Sequence, residues 1–277
     1  MTARIGLLMP HYSSRSHSYW PLVAHALAEA GAIVDVVHPP RGALDLATLR
    51  VDHDLYVLRK LSGLALSLAG ALDELGAAIL NPYPASAALR DKIVASRVLQ
   101  AAGIPMPATY VASDAEELLP HLEEGPLIVK PYLGAGGHHV QVVRTAVELA
   151  AVLVNRGEPV FAQRYHPPQG RDRKIYAIGT EVFGVKKIFP RRTDADKFGE
   201  PFHVGAELAD IARRCGQAFG VELYGVDIIE SGGRPYVVDV ASVPGYKGVP
   251  DAPARLARHI LAVAERARRG DTVAAAS

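Results

Sequence analysis

Residues 223–241 restrict the fold most, because they predict a tight β-hairpin that carries acids inside apolar strands. Two apolar runs, LYGVDIIE and RPYVVDVA, flank the turn sequence SGGR. If Glu230 lies opposite Tyr236, Asp227 lies directly opposite Asp239, with the two Cβ atoms about 5 Å apart. Facing carboxylates repel unless a cation or a proton lies between them. The hairpin therefore favours a Mg²⁺ site, although a register shifted by one residue would put the acids on opposite faces.

A second segment, LIVKPYLGAGGHHV, has a lysine on the unexpected side of its glycines. The common phosphate loop, G-x-x-x-x-G-K-[ST], places the lysine after the glycines at the start of a helix. Here Lys130 ends a predicted strand, and another strand-like segment follows the glycines. This pattern favours a hairpin whose main-chain amides lie over phosphates that the lysine also binds. A flexible hairpin with a solvated lysine is the alternative.

Two further segments carry candidate residues with weaker patterns. Lys92 lies early in the predicted helix AALRDKIVASRVLQAAG, where a solvated charge is the simpler interpretation. In GRDRKIYAIG, Asp172 and Lys174 are two residues apart and therefore share one face of a strand. The carboxylate of Asp172 is suited to bind a ribose hydroxyl, and the ammonium of Lys174 is suited to bind a phosphate. A surface ion pair between the two residues explains the pattern equally well.

The first 82 residues predict a small Rossmann-like unit. Apolar strands and helical segments alternate at short spacing, from ARIGLLM through AIVDVVHP and DLYVLRK to AAILN. This alternation is typical of a parallel sheet. The dinucleotide fingerprint G-x-G-x-x-G is absent, so no dinucleotide is assigned to this unit. Later strands surround a single helix, GAELADIARRCGQAFG, which favours an antiparallel sheet.

Composition excludes several classes of protein. The chain has 277 residues, 49% of them hydrophobic, which is typical of a globular protein. A formal net charge of +1 does not favour electrostatic binding to nucleic acid or to an anionic membrane. The single cysteine, Cys215, excludes an internal disulfide and any cysteine-cluster metal site. We find neither a secretory signal nor a membrane-spanning apolar run, so we expect a cytoplasmic protein.

The order of these motifs resembles the ATP-grasp superfamily, and most closely its RimK-like amino-acid and peptide ligases. The similarity covers residues 80–262 and rests on six collinear segments: NPYPASAALRDKIVASRVLQAAGIPMP, LIVKPYLGAGGHHV, VFAQRYH, GRDRKIYAIG, LYGVDIIES and YVVDVASVPGYKG. The resemblance implies an α/β (α+β) ATP-grasp fold with an N-terminal Rossmann-like pre-ATP-grasp domain. It implies three units: residues 1–82, a central subdomain over 83–160 with the glycine-rich lid, and a C-terminal subdomain over 161–277 with the metal site.

The resemblance also implies roles for individual residues. Lys92 and Lys130 match the two ATP lysines, and Lys174 falls where the ligases usually have an arginine for the γ-phosphate. Asp227 and Asp239 match the carboxylates that hold Mg²⁺, with Mn²⁺ as a substitute. The remaining matches are the lid over the triphosphate, the adenine hinge and the acid beside the ribose: Gly134, Ala135, Gly136 and Gly137; Gln163, Arg164 and Tyr165; and Asp172.

One position departs from the ligase pattern. The family usually continues from the second acid as acid-x-Asn-x-x-Pro-Gly, whereas Ala241 stands in the asparagine position. A methyl group cannot coordinate a cation. One of the two magnesium ions of the family is therefore expected to be weakly held, unless Ser242, water or substrate takes the asparagine's place.

The resulting hypothesis is an ATP-dependent carboxylate–amine ligase that works through an acylphosphate. Its partners are then a small-molecule acid and an amine, with a homo-oligomer left open. Arg191 and Arg192, in KKIFPRR, are candidates for binding the substrate carboxylate or the acylphosphate, and a solvated basic turn is the alternative. Lys247 is a weaker candidate for that role.

Two other functions stay open at this stage. The segment VPGYKG and the lysine at position 174 are similar to inositol polyphosphate kinases of the same fold, which favours a small-molecule kinase. Ala241 makes an ATP-binding module without catalysis a third hypothesis. The adjacent His138 and His139 are expected on the lid, without an assigned role.

Overall fold

The computed structural model describes most of the chain in seven stretches: residues 2–10, 17–38, 43–59, 63–133, 139–152, 157–188 and 198–271. It contains three separate sheets, and helices pack against them. No helix of the described stretches combines the length and the apolar character needed to cross a membrane.

The N-terminal sheet is parallel, which confirms the expectation from its alternating elements. Its order is β2-β1-β3-β4. The strands and their helices are β1 (Arg4–Leu8), α1 (Trp20–Glu29), β2 (Ile33–Val37), β3 (Leu55–Leu58), α2 (Leu64–Glu74) and β4 (Ile79–Leu80). All four residues of β3 are buried, as expected for a parallel strand that is covered on both faces.

Two short helices, rather than the single one that we predicted, connect the N-terminal and central sheets. They are α3 (Tyr83–Arg90) and α4 (Lys92–Ala101). Asp91 separates them with an extended backbone (φ −97°, ψ 111°), and its carboxylate accepts hydrogen bonds from the main-chain N–H groups of Ile93 and Val94. The prediction failed because an aspartate that caps a new helix interrupts a pattern that is otherwise continuous.

The central sheet has the order β5-β8-β6-β7, and its strand pairs are antiparallel. Its elements are β5 (Thr109–Ala112), α5 (Leu119–Glu123), β6 (Leu127–Pro131), β7 (Gln141–Val143), α6 (Ala146–Ala150) and β8 (Val160–Arg164). Strand β8 hydrogen-bonds to β5 and β6, so residues 160–164 lie with the central sheet and not with the C-terminal one.

The C-terminal sheet is also antiparallel, as predicted, with the order β11-β10-β9-β12-β13. Its elements are β9 (Asp172–Ile178), β10 (Glu181–Lys187), β11 (Glu200–Phe202), α7 (Ala206–Phe219), β12 (Leu223–Ser231) and β13 (Arg234–Ser242). The last helix, α8 (Ala252–Arg268), packs on α1. One buried cluster therefore joins the N-terminal sheet, α8 and this sheet.

Candidate functional site

Asp227 and Asp239 face each other across the hairpin, but the register of the two strands differs from the one predicted from the sequence. Asp227 pairs directly with Asp239, while Glu230 pairs with Pro235 and not with Tyr236. The register shifts between Asp227 and Ile228, which leaves Val238 as an extra residue in β13. This bulge moves Asp239 by one position and so brings both carboxylates to the same face.

Each acid is paired with a lysine from a different element. Lys174 of β9 lies opposite Asp227 in register, and its Nζ is 2.8 Å from the Asp227 carboxylate. The Nζ of Lys92 is 3.2 Å from the carboxylate of Asp239. The ion pair of Lys174 is therefore with Asp227, rather than the surface pair with Asp172 that the sequence left open.

Local structure explains how both lysines reach the acids. A Cβ atom at Gly225 would lie 3.0 Å from Cε of Lys174, so the glycine leaves the space over which that side chain extends. Lys92 is the first residue of α4, directly after the Asp91 cap, and its main-chain N–H donates to the carbonyl of Tyr132 at 2.9 Å. The break between α3 and α4 thus sets the position of Lys92.

Lys130 connects the central sheet with the C-terminal sheet. Its ammonium donates to Oε1 of Gln163 at 2.7 Å and to the main-chain carbonyl of Val238 at 3.2 Å. Gln163 is 2% exposed, and its Nε2 donates to the hydroxyl of Thr109. Burial lowers the pKa of Lys130 to about 8, and the positive charge of Lys92 acts in the same direction, whereas Asp239 and Asp227 oppose it.

A narrow cleft lies beside Lys92, between the central and C-terminal sheets. Its walls are α4, β8 and β13, and its lining residues include Leu99, Met106, Phe161, Val237 and Val240. The cleft has a volume of only about 20 Å³. This volume is far below the hundreds of Å³ that small-molecule sites commonly measure. A larger pocket, about 290 Å³, lies at the far end of β9, around Gly179 and His259, and does not include these lysines or acids.

The three residues expected to form the adenine hinge point in different directions. Gln163 faces Lys130, whereas the guanidinium of Arg164 donates to the main-chain carbonyls of Gly125 and His121 and to the carboxylate of Glu124. The side chain of Arg164 therefore holds the end of α5 rather than lining the cleft. The side chain of Tyr165 faces Arg144, whose guanidinium carbon lies 5.6 Å from the centroid of the tyrosine ring.

Asp172 begins β9 and lies opposite Lys187 in the β9–β10 pair. Sequence reasoning missed Lys187, which is 6% exposed and donates to the hydroxyl of Tyr176 at 2.7 Å. No local motif distinguishes this lysine from its neighbour Lys186. Several predicted residues lie outside the described residues: Gly134, Ala135, Gly136, Gly137, His138, Arg191 and Arg192. His139 is described, with a positive φ of 57°.

The position beside the acids provides no third oxygen ligand. Ala241 pairs with Gly225, so neither strand has a side-chain oxygen at this position. Ser242 does not replace the missing asparagine, because the residue is buried and its hydroxyl hydrogen-bonds to Asn81 and Ser86.

The sequence did not reveal the structural role of Asn81. The segment NPYPAS, which begins with this residue, indicated only a boundary between domains. Asn81 is fully buried. Its Nδ2 donates to the carbonyl of Leu223 and to Ser242, and its Oδ1 accepts from the N–H groups of Glu222 and Leu223. It therefore fixes the ends of β12 and β13 to the segment that follows β4.

The facing acids fit a single Mg²⁺ ion. Their side chains are 29% and 37% exposed, which leaves room for phosphate and water oxygens beside the carboxylates. Within the described stretches, no group of three or more His, Cys, Asp or Glu side chains could hold a metal ion. The protein's own contribution at this place is therefore two carboxylates, with Lys92, Lys130 and Lys174 around them.

Comparison with known proteins identifies the family. Residues 89–263 match the model of the RimK-like ATP-grasp domain. The glutamate–LysW ligase ArgX of Sulfurisphaera tokodaii is 28% identical over 82% of this chain and 86% of its own length. A probable alpha-L-glutamate ligase of Enterobacter is 31% identical over 63% of each chain. A RimK-domain ATP-grasp protein of Sphaerobacter thermophilus has the same fold, with a TM-score of 0.75 at 23% identity over 94% of this chain and all of its own.

The matched domain covers more than half of the chain, and it contains both facing acids and all three lysines of the site. ArgX, which is named as a ligase, aligns with 82% of this chain. The Enterobacter relative, which is named as a probable ligase, aligns with 63% of it. The chain therefore belongs to the RimK-like ATP-grasp family and is an ATP-dependent carboxylate–amine ligase.

Proposed function

We propose that this ligase uses ATP and Mg²⁺ to activate the carboxylate of an amino-acid-like substrate and to join it to an amine. The observation that carries the proposal is the Asp227–Asp239 pair, in which each acid already has a lysine partner and Lys130 lies alongside. The relatives named as glutamate ligases support an amino acid as substrate. Their names also favour the ligase over a kinase and over a non-catalytic module.

The chain's own residues bind and orient the reactants. Lys92 and Lys130 bind the phosphates of ATP, and Lys174 binds the phosphate that is transferred. Asp227 and Asp239 would hold Mg²⁺, which would neutralise charge on the phosphate oxygens. Three ammonium groups and two carboxylates leave one net positive charge (3 − 2 = +1), which suits a polyanion.

The reaction then needs no side-chain nucleophile. A carboxylate oxygen of the acid attacks the γ-phosphorus, and the bond from that phosphorus to the bridging oxygen breaks, giving an acylphosphate and ADP. The amine nitrogen attacks the acyl carbon, phosphate leaves with its oxygen, and the nitrogen loses a proton to solvent. Arg191 and Arg192 are proposed to bind the acid or the acylphosphate, because an arginine fork matches planar carboxylates. Positioning and electrostatic stabilisation carry such chemistry.

The ligand set supports one Mg²⁺ in this chain instead of two. Gly225 and Ala241 offer no oxygen beside the acids, and the stem of Lys174 extends over Gly225. The ammonium of Lys174, which pairs with Asp227, supplies positive charge beside the acids instead.

A product screen tests the proposal. The chain is incubated with ATP, Mg²⁺ and pairs of amino acids and small amines, and ADP release is followed with mass spectrometry of the products. We expect release that depends on both an acid and an amine, and an acylhydroxamate when hydroxylamine replaces the amine. Release that depends on an alcohol and yields a phosphate ester would overturn the ligase.

Two matched variants test the site itself. Asp239→Asn should lose Mg²⁺-supported turnover by at least about a hundredfold, because one of two ion ligands is neutralised. Asp210→Asn serves as the control, since Asp210 forms an exposed ion pair with Arg214 on α7. Equal turnover in the two variants would contradict the assignment of the acids.

A further inference from the structure

A pocket of about 290 Å³ lies where the turn between β9 and β10 meets the first half of α8. Its polar lining comes from that turn and from three basic side chains of the helix: Gly179, Thr180, Glu181, Arg255, Arg258 and His259. All of these residues lie within the described stretches, and Thr180, Glu181 and Arg258 are exposed, so the pocket is open to solvent. Its volume is near the lower end for small-molecule sites, about 300 Å³.

The three basic side chains come from one face of α8. Arg255, Arg258 and His259 occupy positions i, i+3 and i+4, which are neighbours on a helix surface. Positive charges at this spacing destabilise a helix unless other groups compensate them. Gly179 lets the helix approach the turn, because its φ is +59° and a Cβ atom there would lie 2.9 Å from Nδ1 and Cε1 of His259. The turn and the imidazole edge therefore form one wall of the pocket.

Carboxylates hold two of the three basic side chains. Nη1 of Arg255 donates to both oxygens of Glu181, at 3.0 Å and 3.1 Å. Nε2 of His259 lies 2.9 Å from Oε2 of Glu222, whose other oxygen accepts from Arg266 at 2.6 Å. These contacts fix the directions of the Arg255 and His259 side chains at the pocket.

Arg258 has no such carboxylate. It is exposed, and the described residues give it neither a hydrogen bond nor an ion pair. Burial raises the pKa of Glu222, but the contacts with His259 and Arg266 outweigh this and keep that pKa below its ordinary value. The pocket and its supporting pairs thus hold three arginines and two carboxylates, which leaves one net positive charge (3 − 2 = +1) even with a neutral histidine. The local charge favours an anion.

The pocket and the paired acids lie at opposite ends of the same two strands. Strand β9 runs from Lys174, beside the acids, toward Gly179 at the pocket. The main-chain N–H of Gly179 donates to the carbonyl of Glu222, directly before β12, and β12 continues to Asp227. The five positions from Lys174 to Gly179 span roughly 17 Å of extended chain. One small anion therefore cannot contact both places.

We propose that this pocket is a second ligand site, separate from the ligase site, and that it binds a small oxyanion, either a carboxylate or a phosphate. Arg258 is the main binding residue, because a guanidinium donates two parallel hydrogen bonds to either group. The hydroxyl of Thr180 and the imidazole edge of His259 supply further polar contacts from the walls. Binding there requires neither ATP nor a metal ion, so it is independent of the proposed ligase function.

Calorimetric titrations of the full chain without ATP and Mg²⁺ test the inference. The probes are inorganic phosphate and glutarate, and glutaramide is the neutral probe that matches glutarate in size. Arg258→Gln removes the guanidinium. Arg213→Gln is the matched control, because Arg213 is an exposed arginine of α7 that does not line the pocket. Nuclear magnetic resonance of the His259 ring, identified with His259→Gln, locates the bound anion.

We expect a Kd below about 1 mM for at least one of the two anions, and at least about tenfold weaker binding in Arg258→Gln but not in Arg213→Gln. Glutaramide should not bind, and the His259 resonances should shift with the same Kd as the heat signal. Arg258→Lys, which keeps the charge but not the fork, should retain part of the affinity. The anion that binds more tightly identifies the ligand as a carboxylate or a phosphate.

Three results would each overturn the second site. They are a Kd above about 1 mM for both anions, an equal effect of the two glutamine substitutions, and His259 resonances that do not respond to the anion. Turnover of ATP enters none of these measurements, so failure of the ligase proposal would leave their outcome unchanged.

Discussion

The ammonium of Lys130, in the central sheet, donates to the main-chain carbonyl of Val238, in the C-terminal sheet, at 3.2 Å. Val238 is the bulged residue that brings Asp239 opposite Asp227. One irregularity in β13 thus aligns the acids and presents a carbonyl to the lysine. If Lys130 binds phosphates, as we propose, they compete with this contact between the two sheets.

We predict that nucleotide affinity falls as the pH rises above about 8. Burial lowers the pKa of Lys130 to about 8 in the free protein, and bound phosphates raise it again. Above that pH the lysine must take up a proton on binding, so the Kd for ADP should increase by up to about tenfold per pH unit. The phosphates are already ionised there, since their last ionisation lies near pH 6.

Calorimetry from pH 7 to about pH 9.5 measures this effect. Lys130→Met removes the titrating group, so it should bind ADP at least about tenfold more weakly at pH 7 and show a flat profile. A flat profile in the wild-type chain would contradict the lowered pKa of Lys130 or its contact with the phosphates.

Ala241→Asn should raise the number of bound divalent ions from one to two. The new amide oxygen would lie two residues from Asp239 on the same face of β13. Mn²⁺ bound per chain is counted by electron paramagnetic resonance with a non-hydrolysable ATP analogue. Ala241→Leu, which adds volume without an oxygen, should stay at one ion. Two ions in the wild-type chain would show that Gly225 and Ala241 do not limit the site.

Asn81→Leu should lower the free energy of unfolding by about 3 kcal/mol, because the main-chain N–H groups of Glu222 and Leu223 lose their shared acceptor. The carbonyl of Leu223 keeps the N–H of Val243 as a donor. The midpoint of thermal unfolding should fall by roughly 6 °C. Ser86→Ala, which removes one hydroxyl from the same network, should cost about 1 kcal/mol. Equal unfolding temperatures for Asn81→Leu and wild type would be inconsistent with this network.

Substitutions of two neighbouring residues of β8, Arg164 and Gln163, should affect different properties, the first the stability of the fold and the second the binding of nucleotide. Arg164→Met should lose about 2 kcal/mol of stability, since it releases two carbonyls at the end of α5, while the Kd for ADP changes less than twofold. Gln163→Met should weaken ADP binding by about tenfold, because Lys130 loses the side chain that orients it. Chemical denaturation and calorimetry on both variants test the contrast. The reverse pattern would place Arg164 at the nucleotide.

The sequence was sufficient to predict the sheets but not the register of the acids. A two-residue Gly232–Gly233 turn, with both φ values positive, pairs Ser231 with Arg234. Counting from that turn puts the acids one position out of register, and the Val238 bulge restores their alignment. The predicted pairing of Asp227 with Asp239 was therefore correct, but it was derived from a pairing of Glu230 with Tyr236 that is wrong. Bulges depend on contacts with other strands, so a hairpin sequence alone does not reveal them.

Contacts between distant segments were also beyond the sequence. Asn81 is more than 140 residues from its partners in β12 and β13. The Lys130–Val238 contact spans 108 residues. By contrast, the capping role of Asp91 was available locally, since an aspartate before an apolar helical run is a common helix start.

The ion pairs of the two acids have a consequence for the order of ligand addition. Asp227 and Asp239 each have an ammonium partner within the protein itself. A free divalent ion would have to displace those lysines with no compensating anion nearby. Phosphates offer the lysines another partner and leave the carboxylates available at the same moment. We therefore expect the ion to bind more tightly together with the nucleotide than alone.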